Sequence, residues 1–395
     1  MITVPQALEK ITGLFAPLPE EMVSLRHASG RILARDVAAT RNQPPFAASS
    51  MDGYGVLDSD VKSGAKLAVI GEAAAGSGFD GNVRSGQAVR IFTGAPIPYG
   101  VERVVIQEDV TRSKDVITIS QAVETALFIR PAGDDFKIGD IMSAPRKLTP
   151  ADVALLASMN IAEVPVRRRP VVALIATGNE LVMPGETPGP DQIIASNNFG
   201  LAALLEAEGA EIRMLPIAKD TPQSLTLALK LCKGADLIVT IGGASVGDHD
   251  IVQSVASELG LKTEFYKIAM RPGKPLMAGM LDGTPMIGLP GNPVSSMVCG
   301  YVFLRPALNV MKGLGGHPLP RELARLGQDM AKNGGREHYM RAALGIEYSQ
   351  LTVHPFDRQD SGLLTVLSKA NALLVRPAND PARETGEMVE VIRYS

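Results

Sequence analysis

The stretch DLIVTIGGASVG, from Asp236 to Gly247, restricts the possible fold of this chain more than any other part of the sequence. Leu237 to Ile241 form an apolar, β-branched run that is too short for a helix and is typical of a strand buried on both faces. Gly242, Gly243 and Gly247 then permit a tight turn with positive φ and a close approach of the backbone to a neighbour. We therefore predict a buried strand that ends in a glycine-rich turn.

A helix is predicted to follow this turn, because Asp248 can cap a helix that begins near His249. A glycine-rich turn that leads into a helix presents free backbone N–H groups, and such groups suit a phosphate. The turn matches neither GxxxxGK followed by Ser or Thr nor a clean GxGxxG, so neither a nucleoside-triphosphate P-loop nor a dinucleotide-binding fold is indicated. The alternative interpretation is a bare strand-to-helix turn without a ligand.

Residues 168–312 alternate short apolar strands with helical segments, which predicts a doubly wound, mainly parallel α/β sheet. The predicted strands are residues 171–177, 211–217, 237–241, 263–269, 276–280 and 285–289. The predicted helices are residues 198–208, 222–233, 249–259 and 293–310. Ligands of such sheets bind beyond the carboxyl ends of the strands, so we expect the functional site at that edge.

The rest of the sequence predicts further domains around this sheet. Residues 42–127 carry short strands at 67–70, 88–92, 103–107 and 116–120 between Gly, Asp and Ser turns, which indicates an inserted β domain. Residues 1–41 and 128–167 are expected to form a helical linker domain, with helical spacing at 6–14 and 29–34 and a helix at 150–159 that Thr149 caps. Residues 313–395 return to short strands and predict a C-terminal β-barrel domain.

The composition is that of an ordinary soluble protein. Hydrophobic residues make up 45% of the 395 residues and charged residues 21%, and the net charge of −3 leaves no basic surplus for binding nucleic acid. We find no run of 18 apolar residues and no basic leader with an apolar block, so neither a membrane span nor a signal peptide is expected. Cys232 and Cys299 lie far apart, which argues against a disulfide framework or a zinc cluster and fits a cytoplasmic location.

Three loops are predicted to meet at the carboxyl edge of the sheet, because each follows a buried strand. They are residues 177–180 (TGNE), 242–250 (GGASVGDHD) and 289–293 (LPGNP). A further turn, RPGKP, adds Arg271 and Lys274 near Lys267, and glycine loops with clustered cations describe a polyanion site. The substrate-binding residues that we expect in the first two loops are Thr177, Gly178, Gly242, Gly243, Ser245 and Gly247.

Carboxylates are expected beside this polyanion site, namely Glu180, Asp220, Asp248 and Asp250. Carboxylates next to a phosphate site usually indicate a divalent cation, and Mg²⁺ prefers oxygen ligands. Asp248 has the alternative role of a helix cap, and Asp220, which precedes Thr221 and a proline, has the alternative of starting a helix. Glu180 lies in a glycine loop where a cap is less natural, which favours a functional role.

The motifs TGNE, GGASVGDHD, RPGKP and LPGNP, with SMDGYGV at 50–56 and RIFTGAPIP at 90–98, resemble the MoeA and gephyrin E-domain family of molybdopterin molybdenumtransferases. The resemblance covers essentially the whole chain. It implies insertion of molybdate into the dithiolene of adenylylated molybdopterin, with release of AMP. It also implies four domains per subunit, an elongated homodimer, Mg²⁺ and a protein that supplies the adenylylated pterin.

The resemblance also assigns roles to single residues. The positions that match the functional residues of the family are Asp52, Thr93, Asp135, Glu180, Asp220 and Asp250, and Glu180 and Asp250 are the expected metal ligands. The positions that match its pterin and phosphate site are Lys267, Lys274, Pro290, Pro293 and Arg341. In this family Asp52 and Thr93 face the α/β crevice of the other subunit, so the site would require the dimer. Taken without the resemblance, these two residues could equally be a capping pair in an irregular loop.

The sequence departs from the pattern of the family at three positions. Asn179 stands where Asp is common, Arg271 where Lys is frequent and Ala195 where Asp is usual. None of these changes removes an acid that the resemblance assigns. Three alternative functions stay open at this point: a catalytically silent pterin-binding scaffold, a tungstate-preferring insertase and a nucleotide hydrolase on the same sheet.

Overall fold

The structure is a computed structural model that describes residues 1–120, 123–243 and 251–394. The chain divides into two compact units. The first unit comprises Met1–Glu21 and the chain from Arg167 onward, and the second comprises Met22–Val166. The division into four domains stays a prediction.

The first unit is built on a six-stranded sheet. Its strands lie in the order Glu211–Met214, Val171–Ala176, Leu237–Ile241, Thr284–Leu289, Met277–Leu281 and Lys262–Tyr266. The first four run parallel, and Met277–Leu281 is antiparallel to both of its neighbours, so that Lys262–Tyr266 runs in the same direction as the first four. Every residue of Leu237–Ile241 is buried. The predicted mainly parallel α/β sheet is confirmed.

The helices of this unit follow the predicted order. They are Asn197–Ala207, Pro222–Leu231, Ile251–Glu258, Pro293–Cys299 and Arg305–Met311. The last two are joined by a π-helical turn at Gly300–Leu304, which the sequence did not predict. Pro306 has no N–H to offer the carbonyl four residues earlier, and this loss explains the wider turn. The predicted start at His249 lies outside the described residues.

Five strands close the predicted barrel near the C-terminus, in the order Glu337–Glu347, Gln350–Pro355, Glu322–Leu326, Met388–Arg393 and Ala372–Arg376. The short strand Met270–Arg271 joins it by pairing in parallel with the start of Glu337–Glu347. A helix at Leu364–Lys369 was not predicted, and no side chain caps its N-terminus. The sequence therefore lacks the capping signal by which such a short helix could be found.

The N-terminal helix, Val4–Thr12, belongs to the first unit, although the sequence assigned it to the linker domain. Thr3 caps it and forms a capping box with Gln6. Its apolar face, which includes Ile11, joins a core that also contains residues of the sheet and of the barrel. The helix predicted at 6–14 is thus confirmed, and its apolar periodicity is explained by this core.

The helical segment Pro293–Met311 is long and apolar enough to cross a membrane, with a mean hydropathy of 1.2. Within the described residues it is the one segment of this kind, and 78% of it is buried inside the protein. That burial is typical of a core helix, because Phe303, Leu304 and Leu308 are completely buried in the core of the first unit.

The second unit contains the predicted β domain as a six-stranded sheet. Its strands lie in the order Arg103–Ile106, Gly53–Val56, Gln87–Ile91, Lys66–Ala73, Val116–Ile119 and Val110–Ser113. Short two-stranded pairs join Ala48–Ser49 to Ile129–Arg130 and Val37–Ala38 to Ile141–Met142. Short 3-10 turns lie at Leu25–His27, Asp58–Asp60 and Gln107–Asp109.

The linker region is less helical than its sequence indicated. Its helix, Pro150–Ser158, is capped by Thr149 as predicted. The helix predicted at 29–34 is wrong, because Ile32–Leu33 is a strand in a sheet with Glu163–Arg167, Arg146–Lys147 and Glu20–Ser24. Gly30 has a φ of 76°, which interrupts a helix, and pairing with neighbouring strands then overrides the local apolar spacing.

Asp152 ties the start of helix Pro150–Ser158 to the preceding chain. Its carboxylate accepts hydrogen bonds from Arg146 Nη2 at 2.6 Å and from the Thr149 N–H and hydroxyl, each at 2.8 Å. The bond from Arg146, followed by those from Thr149, lowers the pKa of the Asp152 carboxyl to about 2. The charged carboxylate is therefore the form that stabilises this turn.

We expect Asp152→Asn to lower the free energy of unfolding by about 1–2 kcal/mol near neutral pH. The pKa of the Asp152 carboxyl is lower in the folded protein than its ordinary value of 3.8, which holds for the unfolded chain. The stabilisation by the carboxylate is therefore complete above pH 3.8 and is lost as the pH falls towards 2. Urea unfolding of both proteins across this range is the measurement. The two stabilities should converge at low pH, and a difference that does not change with pH would contradict the prediction.

Candidate functional site

A cleft of about 1070 Å³ lies at the carboxyl edge of the parallel strands in the first unit. The ends of Val171–Ala176, Leu237–Ile241 and Thr284–Leu289 open into it, and the loops that follow these strands form its wall. The predicted convergence of the three loops is confirmed for 177–180, 242–243 and 290–293. Residues Ser245, Gly247, Asp248 and Asp250 lie outside the described residues.

The first loop is held by backbone hydrogen bonds. The N–H of Thr177, a buried residue, donates to Ile241 O at 2.9 Å, and the N–H of Gly178 donates to Ala218 O at 3.1 Å. A Cβ atom on Gly178 would overlap the carboxylate of Glu180. Glycine at this position therefore lets the Glu180 side chain fold back over the loop, where it lines the cleft.

The second loop requires glycine for two reasons. Gly242 and Gly243 have φ values of 90° and 67°, a region that L side chains rarely adopt. A Cβ atom on Gly242 would lie 2.7 Å from Thr177 O, and one on Gly243 would overlap the Val252 side chain. The loop is therefore pressed against the first loop and the next helix, and only bare backbone fits.

Asp220 and Asn179 hold each other across two loops. The Asn179 N–H donates to Asp220 Oδ2 at 3.3 Å, and the Asp220 N–H donates to Asn179 Oδ1 at 3.2 Å. Thr221, not Asp220, caps helix Pro222–Leu231, since its side chain accepts from the Ser224 N–H. The helix-start alternative for Asp220 is therefore wrong, and its exposed carboxylate lines the cleft with that of Glu180.

The third loop is fixed by two residues that the sequence did not single out. Asn197 Nδ2 donates to Gly291 O at 2.7 Å. Ser361 accepts from Asn292 Nδ2 at 2.9 Å, and its carbonyl accepts from the Val294 N–H at 3.0 Å. Neither Asn197 nor Ser361 belongs to a motif of recognisable spacing, so their contacts follow only from the tertiary structure.

A strap of two short parallel strands, Leu181–Val182 and Ile193–Ile194, forms another wall of the cleft. Backbone bonds hold it, with the Ile193 N–H donating to Glu180 O at 2.8 Å and the Ala195 N–H donating to Val182 O at 2.9 Å. Glu180 and Asn197 stand at its two ends. The strap thus fixes the separation of the first loop from helix Asn197–Ala207.

The predicted cations are not among the residues that line the described part of the cleft. The RPGKP turn reaches it through Pro275, and Pro290 and Pro293 line it as expected. Lys267, Arg271 and Lys274 follow the edge strand Lys262–Tyr266, which lies two strands away from Thr284–Leu289. Two strand spacings correspond to about 10 Å, and this offset explains why the turn reaches the cleft only at its end.

Arg341 is completely buried in the barrel strand Glu337–Glu347. Its Nη2 donates to Asp360 O at 2.9 Å, while Nε and Nη1 have no hydrogen-bond partner within the described residues. Burial lowers the pKa of this guanidinium, and Arg271 lowers it further. Burial, followed by the charges of Arg271 and Arg341, lowers the pKa of His338 to about 3, so that His338 is neutral in this positive cluster.

The remaining predicted residues lie in the second unit. Asp52 Oδ1 accepts from both the N–H and the hydroxyl of Thr93, each at 2.8 Å, and these bonds lower the pKa of the Asp52 carboxyl. This is the bonded pair that the loop-capping alternative predicts, and its role in a reaction stays a prediction. Asp135 is exposed, and its N–H donates to Gln43 O at 2.9 Å.

The donors in the cleft suit a hard cation. Glu180 and Asp220 both present exposed carboxylates to it, and oxygen ligands of this kind are those that Mg²⁺ prefers. In the described ranges, no group of three or more His, Cys, Asp or Glu residues is placed to hold a metal. Because the predicted ligand Asp250 lies outside those ranges, the magnesium site stays a prediction.

Three family models match successive parts of the chain. Residues 2–160 match the MoeA N-terminal region (domain I and II), residues 173–310 a probable molybdopterin binding domain, and residues 323–394 the MoeA C-terminal region (domain IV). The second match contains all three loops of the cleft. The third contains the closed barrel and Arg341.

Similar proteins match over nearly the whole chain. A molybdopterin molybdenumtransferase from Haemophilus influenzae is 35% identical over 99% of this chain and 98% of its own length. A molybdopterin molybdenumtransferase from Nostoc sp. is 34% identical over 94% of this chain and 88% of its own length. The crystal structure of the molybdopterin biosynthesis moea protein from Pyrococcus horikosii superposes with a TM-score of 0.84 at 30% identity, covering 100% of this chain and 99% of that one.

Proposed function

The chain belongs to the molybdopterin molybdenumtransferase family, transferases of molybdenum cofactor biosynthesis, and we propose that it inserts molybdate into the dithiolene of adenylylated molybdopterin with Mg²⁺-dependent release of AMP. The observation that carries this proposal is the meeting of three strand-end loops on one cleft, with two carboxylates in its wall. Backbone N–H donors and a divalent cation stabilise a bound phosphoanhydride, and this cleft offers a place for both.

Backbone N–H groups would bind the pyrophosphate of the adenylylated pterin. Gly242 and Gly243 have no side chain to keep a phosphate away from the backbone. The Gly242 N–H donates to Leu289 O at 3.1 Å, so the donors to the pyrophosphate oxygens would be the Gly243 N–H and those that follow it. Ser245 and Gly247 would continue this cradle. Lys267, Arg271, Lys274 and Arg341 would offset the charge of the bound phosphates and molybdate from the barrel side.

The carboxylates hold the reacting groups in place. Glu180 and Asp250 would bind Mg²⁺, which when present polarises the phosphoanhydride. Asp220 keeps the Asn179 loop in position through the paired hydrogen bonds described above. A molybdate oxygen would attack the phosphorus of the adenylyl group, the P–O bond to the pterin phosphate would break, and AMP would leave with that oxygen. The molybdenum that has lost this oxygen would bond to the two dithiolene sulfurs, and the pterin would keep its terminal phosphate. The sulfur ligands come from the pterin, since both cysteines of the chain are buried.

We also propose that the complete site is shared in a homodimer. The support is the resemblance of MDGY and FTGAP to family motifs that serve the crevice of the other subunit. Asp52, Thr93 and Asp135 would thus act on a ligand held by the partner subunit, with a further protein delivering the adenylylated pterin. The location that fits two free cysteines is the cytoplasm.

The experiment that tests the proposal mixes the purified protein with adenylylated molybdopterin, molybdate and Mg²⁺ and follows AMP. We expect AMP only when molybdate is present. Release without molybdate would indicate a nucleotide hydrolase, and binding without any release would indicate a silent scaffold. Competition between molybdate and tungstate in the same assay decides between the two metals.

A further inference from the structure

The side chain of Arg90 lies between two aromatic rings beside the Asp52 loop. Its guanidinium carbon is 5.0 Å from the centre of the Tyr54 ring and 4.8 Å from that of Phe92. Two such cation–π contacts restrict a long side chain to one position. Tyr54 is buried and directly opposite Arg90 in the antiparallel pairing of Gly53–Val56 with Gln87–Ile91.

Held in this way, Arg90 reaches the backbone on which Asp52 stands. Its Nη1 donates to Gly53 O at 3.3 Å, and its Nη2 donates to Gln107 Oε1 at 2.7 Å. The N–H of Gln107 in turn donates to Asp52 O at 3.1 Å. The peptide carbonyls of Asp52 and Gly53 are therefore both fixed by one connected pair of residues.

The same arrangement fixes the residues that follow strand Gln87–Ile91. Phe92, which stacks on Arg90, directly precedes Thr93, and Thr93 donates both of its bonds to Asp52 Oδ1. In the described part of the chain Asp52 Oδ2 has no hydrogen bond, which leaves it able to accept a proton or a hydrogen bond from a ligand. Gly53 allows this close geometry, because a Cβ atom there would overlap Val105 O.

We propose that Arg90 and Gln107 are positioning residues that hold the Asp52–Thr93 pair in its working geometry; this inference rests on the proposed function, in which that pair acts on the ligand. Strand pairing alone does not require this arginine, since the ladder of Gly53–Val56 is completed by backbone bonds to both of its neighbours. The contacts of Arg90 are directed instead to the loop at the end of the strand, where Asp52 lies.

Arg90→Met keeps the apolar stem between the rings and removes the hydrogen bonds and the charge. We expect kcat for AMP release to fall about 10- to 100-fold while KM for adenylylated molybdopterin changes less than about twofold. Arg90→Lys should recover part of this loss, since lysine keeps the positive charge but lacks the planar guanidinium that donates to two acceptors at once. Arg103→Met is the matched control, because Arg103 lies in the same sheet but pairs with Asp58 in the 3-10 turn Asp58–Asp60, and its loss should leave kcat unchanged.

A second measurement does not depend on AMP release. The bonds from Thr93 lower the pKa of Asp52 most, and Arg90 is the charged group that lowers it further. Glu108 contacts Gln107 but is not among the groups that act on that carboxyl. The pKa of Asp52, followed by NMR of carboxyl-labelled Asp, should rise in Arg90→Met and stay low in Arg90→Lys and Arg103→Met. A folded Arg90→Met protein with an unchanged Asp52 pKa and wild-type kcat would overturn the proposal.

A double substitution separates this inference from the proposed function. If Arg90 acts through Asp52, adding Arg90→Met to Asp52→Asn should cause no further loss of kcat, whereas a general weakening of the fold would lower it in both backgrounds. An additive loss would count against the positioning role. If no AMP is released by the wild-type protein, the proposed function fails, and the Asp52 pKa still reports whether Arg90 holds the pair.

Discussion

Glu180→Gln is expected to fold as the wild-type protein does and to lose about 100-fold or more of its rate of molybdate-dependent AMP release. The substitution keeps the size of the side chain and removes the negative charge that Glu180 presents to the cleft. Glu180 is exposed, so its folding contribution is small, whereas a cation beside a phosphoanhydride depends on that charge. Asp250→Ala should give the same phenotype.

Glu186→Gln is the matched control for this experiment. Glu186 accepts a hydrogen bond from the Met183 N–H at 2.9 Å in the turn just beyond Glu180, and it does not line the cleft. Glutamine can keep that bond, so AMP release should stay at the wild-type rate. Raising the Mg²⁺ concentration should restore part of the activity of Glu180→Gln only. Wild-type turnover by both Glu180→Gln and Asp250→Ala would rule out the assigned role.

The position of the cleft can be predicted from the sequence because the carboxyl ends of parallel strands lie at the same edge of a sheet. Because buried strands precede TGNE, GGASVG and LPGNP, these loops are expected at one edge of the sheet, and the structure confirms this for residues 177–180, 242–243 and 290–293. The order of the strands was not predictable from the same pattern. The RPGKP turn therefore belongs to the correct edge, yet it follows a strand that lies two places away from Thr284–Leu289.

Contacts between elements distant in sequence could not be predicted either. Ser361 precedes a short uncapped helix in the barrel region, and nothing in its local sequence indicates that it holds Asn292. Arg90 is the first residue of the RIFTGAPIP motif, but the motif does not indicate that its side chain contacts Gln107 in another segment. Local propensity failed at 29–34 for a related reason, because the partners of Ile32–Leu33 come from residues more than a hundred positions later.

Asn179 shows how a departure from the family pattern can be compatible with the site. Asn179 Oδ1 accepts a hydrogen bond from the Asp220 N–H. A carboxylate oxygen of an aspartate at the same position could accept the same hydrogen bond. The local geometry therefore does not need the charge. Because Asn179→Asp would add a negative charge in contact with Asp220, we expect it to raise the affinity for a divalent cation, and calorimetric titration with Mg²⁺ is the measurement. An unchanged affinity would show that no cation binds beside this pair.

Gly243→Ala is expected to remove most ligand binding and to destabilise the first unit by about 2–4 kcal/mol. Gly243 has a φ of 67°, and an added methyl group would overlap the side chain of Val252 at the start of the next helix. The loop must then shift away from the helix, and its N–H groups lose the direction in which a phosphate would meet them. Calorimetric titration with AMP should show an affinity at least about tenfold lower than that of the wild-type protein.

Two further variants distinguish the effect of backbone strain at a positive φ from the effect of steric overlap with Val252. Gly209 also has a positive φ, 87°, but a Cβ atom there meets nothing within 4 Å, so Gly209→Ala should cost about 1 kcal/mol and leave AMP binding unchanged. Val252→Ala removes the group that the methyl added by Gly243→Ala would overlap, so the double variant should bind AMP more tightly than Gly243→Ala alone. Equal affinities of the wild-type protein and Gly243→Ala would show that the phosphate does not rest on this loop, because a turn displaced by steric overlap cannot present the same donors.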